Sequence, residues 1–191
     1  MLWPPPLRHK GNSWIICSCL SRRRWKIQRG VSAAGADVVG FDVSKPKFPP
    51  VPLADSAETA VKDADVVLSI NSATVSLRVA QQLAGALKPG AIYADLNTGT
   101  PTLKRRLAET LPTGCFVDAA VMKPVPGLAE KVPMGVAGES AKKFVSLLEP
   151  LGMNLEYVSD VPGEAAARKL IRSIVAKGMA ALIIDCLWAA K

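Results

Sequence analysis

The chain has 191 residues, 49% hydrophobic and 21% charged. That is enough apolar material for one domain, or one domain and part of a second, and too much for a disordered chain. The net charge of +8 sits at one end: the first 30 residues hold seven Lys or Arg and no Asp or Glu, leaving 17 basic against 16 acidic residues in the rest, which argues against a nucleic-acid-binding body. No apolar run approaches the ~20 residues that span a bilayer, and Trp14 to Leu20 is followed by three arginines rather than by the small residues of a leader cleavage site, so a cytoplasmic chain with no membrane or nucleic-acid partner is expected.

Residues 1–30 stand apart, with three of the four tryptophans and two of the four cysteines. Cys17 and Cys19 are one residue too close for a zinc-binding pair and His9 is the only histidine, so free thiols and no metal site are expected. Trp14–Ser18 reads as a possible strand. From there the chain alternates. Short apolar runs at 37–42, 64–69, 91–95, 115–121, 133–138 and 154–158 have the unbroken hydrophobicity of strands buried on both faces of a parallel sheet. Between them, Val75 to Leu87 places Val75, Val79, Leu83 and Leu87 on one helical stripe, stopped by Lys88–Pro89–Gly90. A second helix opens at Pro101 with Thr100 as its N-cap, and a third runs from Ser140, as its cap, to Leu151, with Gly152 at its C-terminal end. The Pro-rich stretch 45–52 reads as a loop. The alternation predicts an α/β fold with a Rossmann-like, doubly wound, mostly parallel sheet over residues 31–161. From 162 to 191 the pattern becomes one long Ala- and Leu-rich helix. It is apolar enough to need cover on more than one side, either as the first helix of an all-helical domain or as the core of a homodimer interface.

In such a sheet an acid closing the second strand accepts hydrogen bonds from an adenosine ribose and disfavours a 2′-phosphate. Asp42 holds that position, pointing to NAD over NADP. The glycine-rich turn that should precede it by about 20 residues is replaced by Cys19-Leu20-Ser21-Arg22-Arg23-Arg24, whose side chains would obstruct both the turn and the approach of a pyrophosphate. A reading-frame shift upstream of Val31 would also produce a carboxylate-free segment of this length.

Three further motifs follow in order. Asp95-Leu96-Asn97-Thr98-Gly99-Thr100-Pro101 resembles a D-x-S-T-x-x-P loop. Asp118-Ala119-Ala120-Val121-Met122-Lys123-Pro124 stands where D-A-P-V-S-G-G is usual. Gly163, Lys169 and Ser173 are spaced as in G-x-G-x-x-x-K-x-x-x-N. Together they resemble the β-hydroxyacid dehydrogenases, the group of the 3-hydroxyisobutyrate and 6-phosphogluconate dehydrogenases, over residues 31–191.

The resemblance implies an NAD(P)-dependent oxidoreductase that moves hydride between a nicotinamide and a small hydroxy acid. It implies Lys169 as the catalytic acid/base and Thr98 beside the nicotinamide. Ser69, Ile70 and Asn71 would touch the cofactor's adenosine half, Asn71 through its backbone. Met122, Lys123 and Pro124 would line the substrate carboxylate site, where Lys123 substitutes a charge for backbone donors. Ser173, in place of asparagine, would hold substrate. Two readings of another class remain open: a catalytically inactive Rossmann-like fragment that only dimerises or binds a partner, and a polyanion- or membrane-binding protein led by its basic first 30 residues.

Overall fold

The computed structural model describes residues 13–18, 25–44, 47, 49 and 51–190. The arginine run that replaces the glycine-rich turn, together with Cys19 and His9, lies outside them. Among the described residues seven strands form one sheet: β1 (Ser13–Ser18), β2 (Asp37–Phe41), β3 (Val66–Ile70), β4 (Ile92–Asp95), β5 (Phe116–Val121), β6 (Met134–Ala137) and β7 (Leu155–Ser159), in the order β2-β1-β3-β4-β5-β6-β7. Every pairing is parallel except β5 with β6, which is antiparallel with Val121 opposite Met134. β1 falls inside the compositionally odd first 30 residues and still lies between β2 and β3. β3, β4 and β6 are buried at every residue, as continuous apolar runs require. β2 and β7, at the sheet edges, expose part of their length.

Alternate strand residues feed two cores, as the two-residue period of a strand dictates. Val66, Leu68 and Ile70 meet α1 (Trp25–Ala33) and α5 (Ala141–Leu148) on one face. Val67, Tyr93 and Phe116 meet α2 (Ala57–Val61), α3 (Ala73–Leu83) and α4 (Pro101–Thr110) on the other. Thr100 caps α4 as expected, accepting from Leu103 N at 3.2 Å, with Pro101 in the first turn. α3 differs from its expected stripe. Its buried residues are Ser76, Ala80 and Leu83, while Val75 and Val79 are only half-buried. The small side chains of Ser76 and Ala80 let the helix settle close to the sheet, and the Ser76 hydroxyl returns a hydrogen bond to Ala73 O at 3.0 Å, so the small face wins over the valine face.

The final helix, α6 (Glu164–Ala189), has 26 residues, a rod of roughly 39 Å. Its first turn is fixed to the domain. Gly163, at φ +97°, precedes it where a Cβ would stand 2.8 Å from Pro101 O, so only glycine permits α6 to start against the beginning of α4. Beyond Arg172 the helix leaves the sheet, and from Ile174 to Trp188 its large apolar side chains are exposed. Among the described residues no helix is long and apolar enough to cross a membrane.

Candidate active site

The site grows from the carboxyl ends of β3, β4 and β5. A cleft of about 330 Å³ opens there. Its apolar lining comes from Ile27 of α1, Ile70 at the end of β3, Leu96 after β4 and Val121 at the end of β5. Ile27, Ile70 and Leu96 are almost fully buried. Thr98, Lys123 and Lys169 bring the polar groups, and Pro124, Val125 and Pro126 form the wall after β5. The ammonium of Lys169 donates to Thr98 Oγ1 at 2.8 Å across 71 residues of sequence. Lys169, implied as the acid/base, and Thr98, implied beside the nicotinamide, are therefore in contact, one on the second turn of α6 and the other on the loop after β4.

The other expected site residues are spread more widely. Lys123 and Pro124 line the cleft with Lys169. Met122 turns away: its Cε lies 3.0 Å from where a Cβ on Gly135 would stand, and its side chain packs against Ala120, Ala137 and Ala165. Its carbonyl also meets α6, accepting from Arg172 at 3.2 Å. Ser173 is half-exposed, one turn past Lys169 on α6, and is not among the residues lining the cleft. Asp42 closes β2 as expected, but its carboxylate is nearly buried, with Oδ1 accepting from Ser44 N at 2.8 Å and from Ser44 Oγ at 2.7 Å. Of Ser69, Ile70 and Asn71, only Ile70 reaches the cleft. Ser69 and Asn71 are buried and bonded to one another, Asn71 Nδ2 donating to Ser69 Oγ at 3.2 Å.

That last pair belongs to a polar network beneath the cleft. Asn97 Nδ2 donates to Asn71 Oδ1 at 2.7 Å and to Asp95 Oδ1. Lys104, on α4, is 1% exposed. Its ammonium donates to Asp95 Oδ2 at 2.7 Å and to Asp95 O at 2.8 Å, and forms an ion pair with Asp118 Oδ1 at 3.0 Å. The other Asp118 oxygen accepts from Ala166 N at 2.8 Å. Ala166 is the third residue of α6, where a helix has an unsatisfied amide and a partial positive charge. Gly163 has no side chain to cap it, so Asp118 does so from β5. Burial alone would lower the Lys104 pKa, but the charges of Asp95 and Asp118 outweigh it and hold the pKa above the ordinary lysine value.

Lys104 was not legible as a site residue because it heads Lys104-Arg105-Arg106, a run that reads as a solvated surface. The signal available was its spacing: Lys104, Leu107 and Leu111 share one helical stripe and are all buried, while Asp95 at the end of one apolar run and Asp118 inside the next needed a cation.

A mostly parallel α/β sheet, a cleft at its carboxyl edge and a lysine delivered from the following helix define a fold of the 3-hydroxyacid dehydrogenase kind, and the comparisons agree. The protein designated MTH1747, whose structure is reported as similar to 3-hydroxyacid dehydrogenases, superposes with a TM-score of 0.80 at 25% identity, over 92% of this chain and 69% of its own. A conserved hypothetical protein of Sinorhizobium meliloti 1021 gives 0.84 at 33% identity, over 95% and 65%. An imine reductase of Myxococcus stipitatus, solved with NAD+, shares the fold at 0.74 and 20% identity, over 94% and 65%. In sequence, the chain is 30% identical over 125 residues to a 28.5 kDa protein encoded in the 7S RNA 5′ region of Methanothermus fervidus, covering 65% of this chain and 47% of that one. No protein-family model matches. The chain thus spans about half the length of its curated relative. It has the fold of the β-hydroxyacid dehydrogenases, as its motifs implied.

Proposed function

We propose that the cleft carries out nicotinamide-dependent oxidoreduction of a small hydroxy acid. The observation that carries this reading is the 2.8 Å contact between Lys169 and Thr98 in the wall of a cleft at the carboxyl ends of parallel strands, the place where open α/β sheets bind ligands. Ile27, Ile70 and Leu96 would give a nicotinamide ring an apolar wall in this cleft, and Thr98 would give it a polar group. A nicotinamide held there would supply the hydride chemistry for the substrate carbon, beside Thr98 and Lys169. Lys169 exchanges the proton with the substrate oxygen, and Thr98 holds its amine in place until substrate arrives. Lys123, exposed at the rim, attracts the substrate carboxylate. Asp42 favours NAD over NADP, because a second negative charge next to its carboxylate is repelled.

Calorimetric titration of the full chain with NADH and NADPH tests the reading. Micromolar binding of NADH, weaker binding of NADPH and loss of NADH binding in Asp42→Ala are expected; unchanged binding in Asp42→Ala removes that residue from the site. Lys169→Met should keep NADH binding and lower turnover by about 10²–10⁴-fold, the usual worth of a positioned acid/base. A chain that binds neither nucleotide overturns the proposal and leaves the second reading, a non-catalytic domain acting through α6. The exposed apolar side chains from Ile174 to Trp188 give that reading its support. On either reading we assign α6 a homodimeric role: between Ser173 and Ala190 it carries only Lys177 and Asp185 as charges, so two copies can pair without repulsion.

A further inference from the structure

We infer that Lys104 is a positioning residue that sets the distance between Lys169 and Thr98 from below the cleft. Two chains of contacts leave its ammonium. One runs through Asp118 to the amide of Ala166, three residues before Lys169 on the same rigid helix. The other runs through Asp95 to Asn97, the immediate neighbour of Thr98. The two arms meet again above, where Lys169 donates to Thr98. The result is a closed ring of contacts joining β4, the loop after it, β5, α4 and the start of α6, with one buried cation where its two arms part.

Each member is committed on both sides. The Lys104 ammonium donates to Asp95 O and Asp95 Oδ2 and stands 3.0 Å from Asp118 Oδ1 as an ion pair without hydrogen-bond geometry. Asp118 spends one oxygen on Lys104 and the other on α6. Asp95 divides its two between Lys104 and Asn97. Lys104, Asp95 and Asp118 are all 1% exposed or less. At that depth charges find no water to reorient around, so the geometry is fixed by the partners alone. A short contact at the cleft therefore depends on a lysine that does not line it.

The inference rests on the reading that Lys169 and Thr98 meet substrate, but its test does not depend on turnover. Trace acetylation of the full chain, read peptide by peptide in a mass spectrometer, gives the reactivity of Lys169 relative to Lys177, an exposed lysine two turns further along α6. The first variant is Asp118→Asn. An amide has one acceptor and one donor end, so it can accept from Ala166 N or face the Lys104 ammonium with an acceptor, but not both. The second is Lys104→Met with Asp118→Asn, which preserves the net buried charge, removes the cation and lets the amide cap α6. In each variant that folds, the Lys169-to-Lys177 ratio should rise about fivefold, the factor for losing one hydrogen bond on the Lys169 amine. A ratio equal to that of the unaltered chain in either folded variant overturns the inference, because a purely structural Lys104 would change the unfolding temperature and leave this ratio alone. If the unaltered chain binds no nicotinamide nucleotide while the ratio still responds, the dehydrogenase reading fails and the positioning role stands.

Discussion

The two ends of α6 live in opposite surroundings. At its start, Ala165 and Ala166 are buried against β5 and β6 and lean on a network in which a lysine is 1% exposed. Two to six turns later, Ile174 is 71% exposed and Trp188 75% exposed. A charged residue is inside and a tryptophan outside, the reverse of what hydropathy ranks. Polarity alone therefore does not say which residues are buried; partners do. Lys104 is buried because two carboxylates and a carbonyl meet it, and the end of α6 is exposed because nothing in the described chain reaches it.

The largest expected effect tests the first half of that contrast. Lys104→Met leaves Asp95 and Asp118 facing each other in the interior without a cation. Breaking a buried ion pair from one side costs about 3–5 kcal/mol, which for a domain of this size is a large part of its stability. Urea denaturation should show that loss. A loss below about 1 kcal/mol, the level of an exposed pair, would mean that water reaches the carboxylates and that the network is not sealed.

The second half is tested by association. A helix whose apolar residues run around its whole circumference gains by pairing with a second copy. Light scattering after size exclusion should give a dimer, and Leu182→Glu with Ile183→Glu should convert it to a monomer while leaving the circular dichroism of the sheet domain intact. A monomer in the unaltered chain would withdraw the dimer.

How much of this was written in the sequence follows the same division. The strands were legible because a run such as Val66–Leu68, apolar at successive positions, can only be buried on both faces. Their direction was not: Met134–Ala137 has the same apolar character as its parallel neighbours, and its antiparallel pairing with β5 comes from the connection at 122–133, which returns the chain to the end of β5 it has just left. The motif resemblance singled out Thr98 and Lys169 separately, and their direct hydrogen bond was not legible because it joins residues 71 apart in the chain. That Met122 turns from the cleft was hidden, because a residue's place in a motif fixes its backbone, while the absence of a side chain on Gly135 is what gives the Met122 methyl somewhere else to go. Lys104 was hidden by its two arginine neighbours.

The smallest effect sharpens the contrast at the two cysteines whose surroundings are known. Cys115 is buried beside β4, and burial pushes its thiol up to about 11 from 9.0. Cys186 is exposed on the far part of α6. In the Leu182→Glu, Ile183→Glu monomer, where α6 has no partner, iodoacetamide at pH 8 should alkylate Cys186 and spare Cys115, since the thiolate is the reacting form. The sign of the stability effect follows from linkage. Between pH 9.0 and about 11 the unfolded chain has lost the Cys115 proton and the folded chain has kept it, so stability is full below pH 9 and falls as pH rises through that window. The raised pKa of Lys104 acts in the same direction at still higher pH. Cys115→Ala, read by urea denaturation across the alkaline range, should flatten the first part of the decline; an unchanged slope between pH 9 and 10 would mean that the Cys115 thiol is solvated and that this edge of the core opens to water.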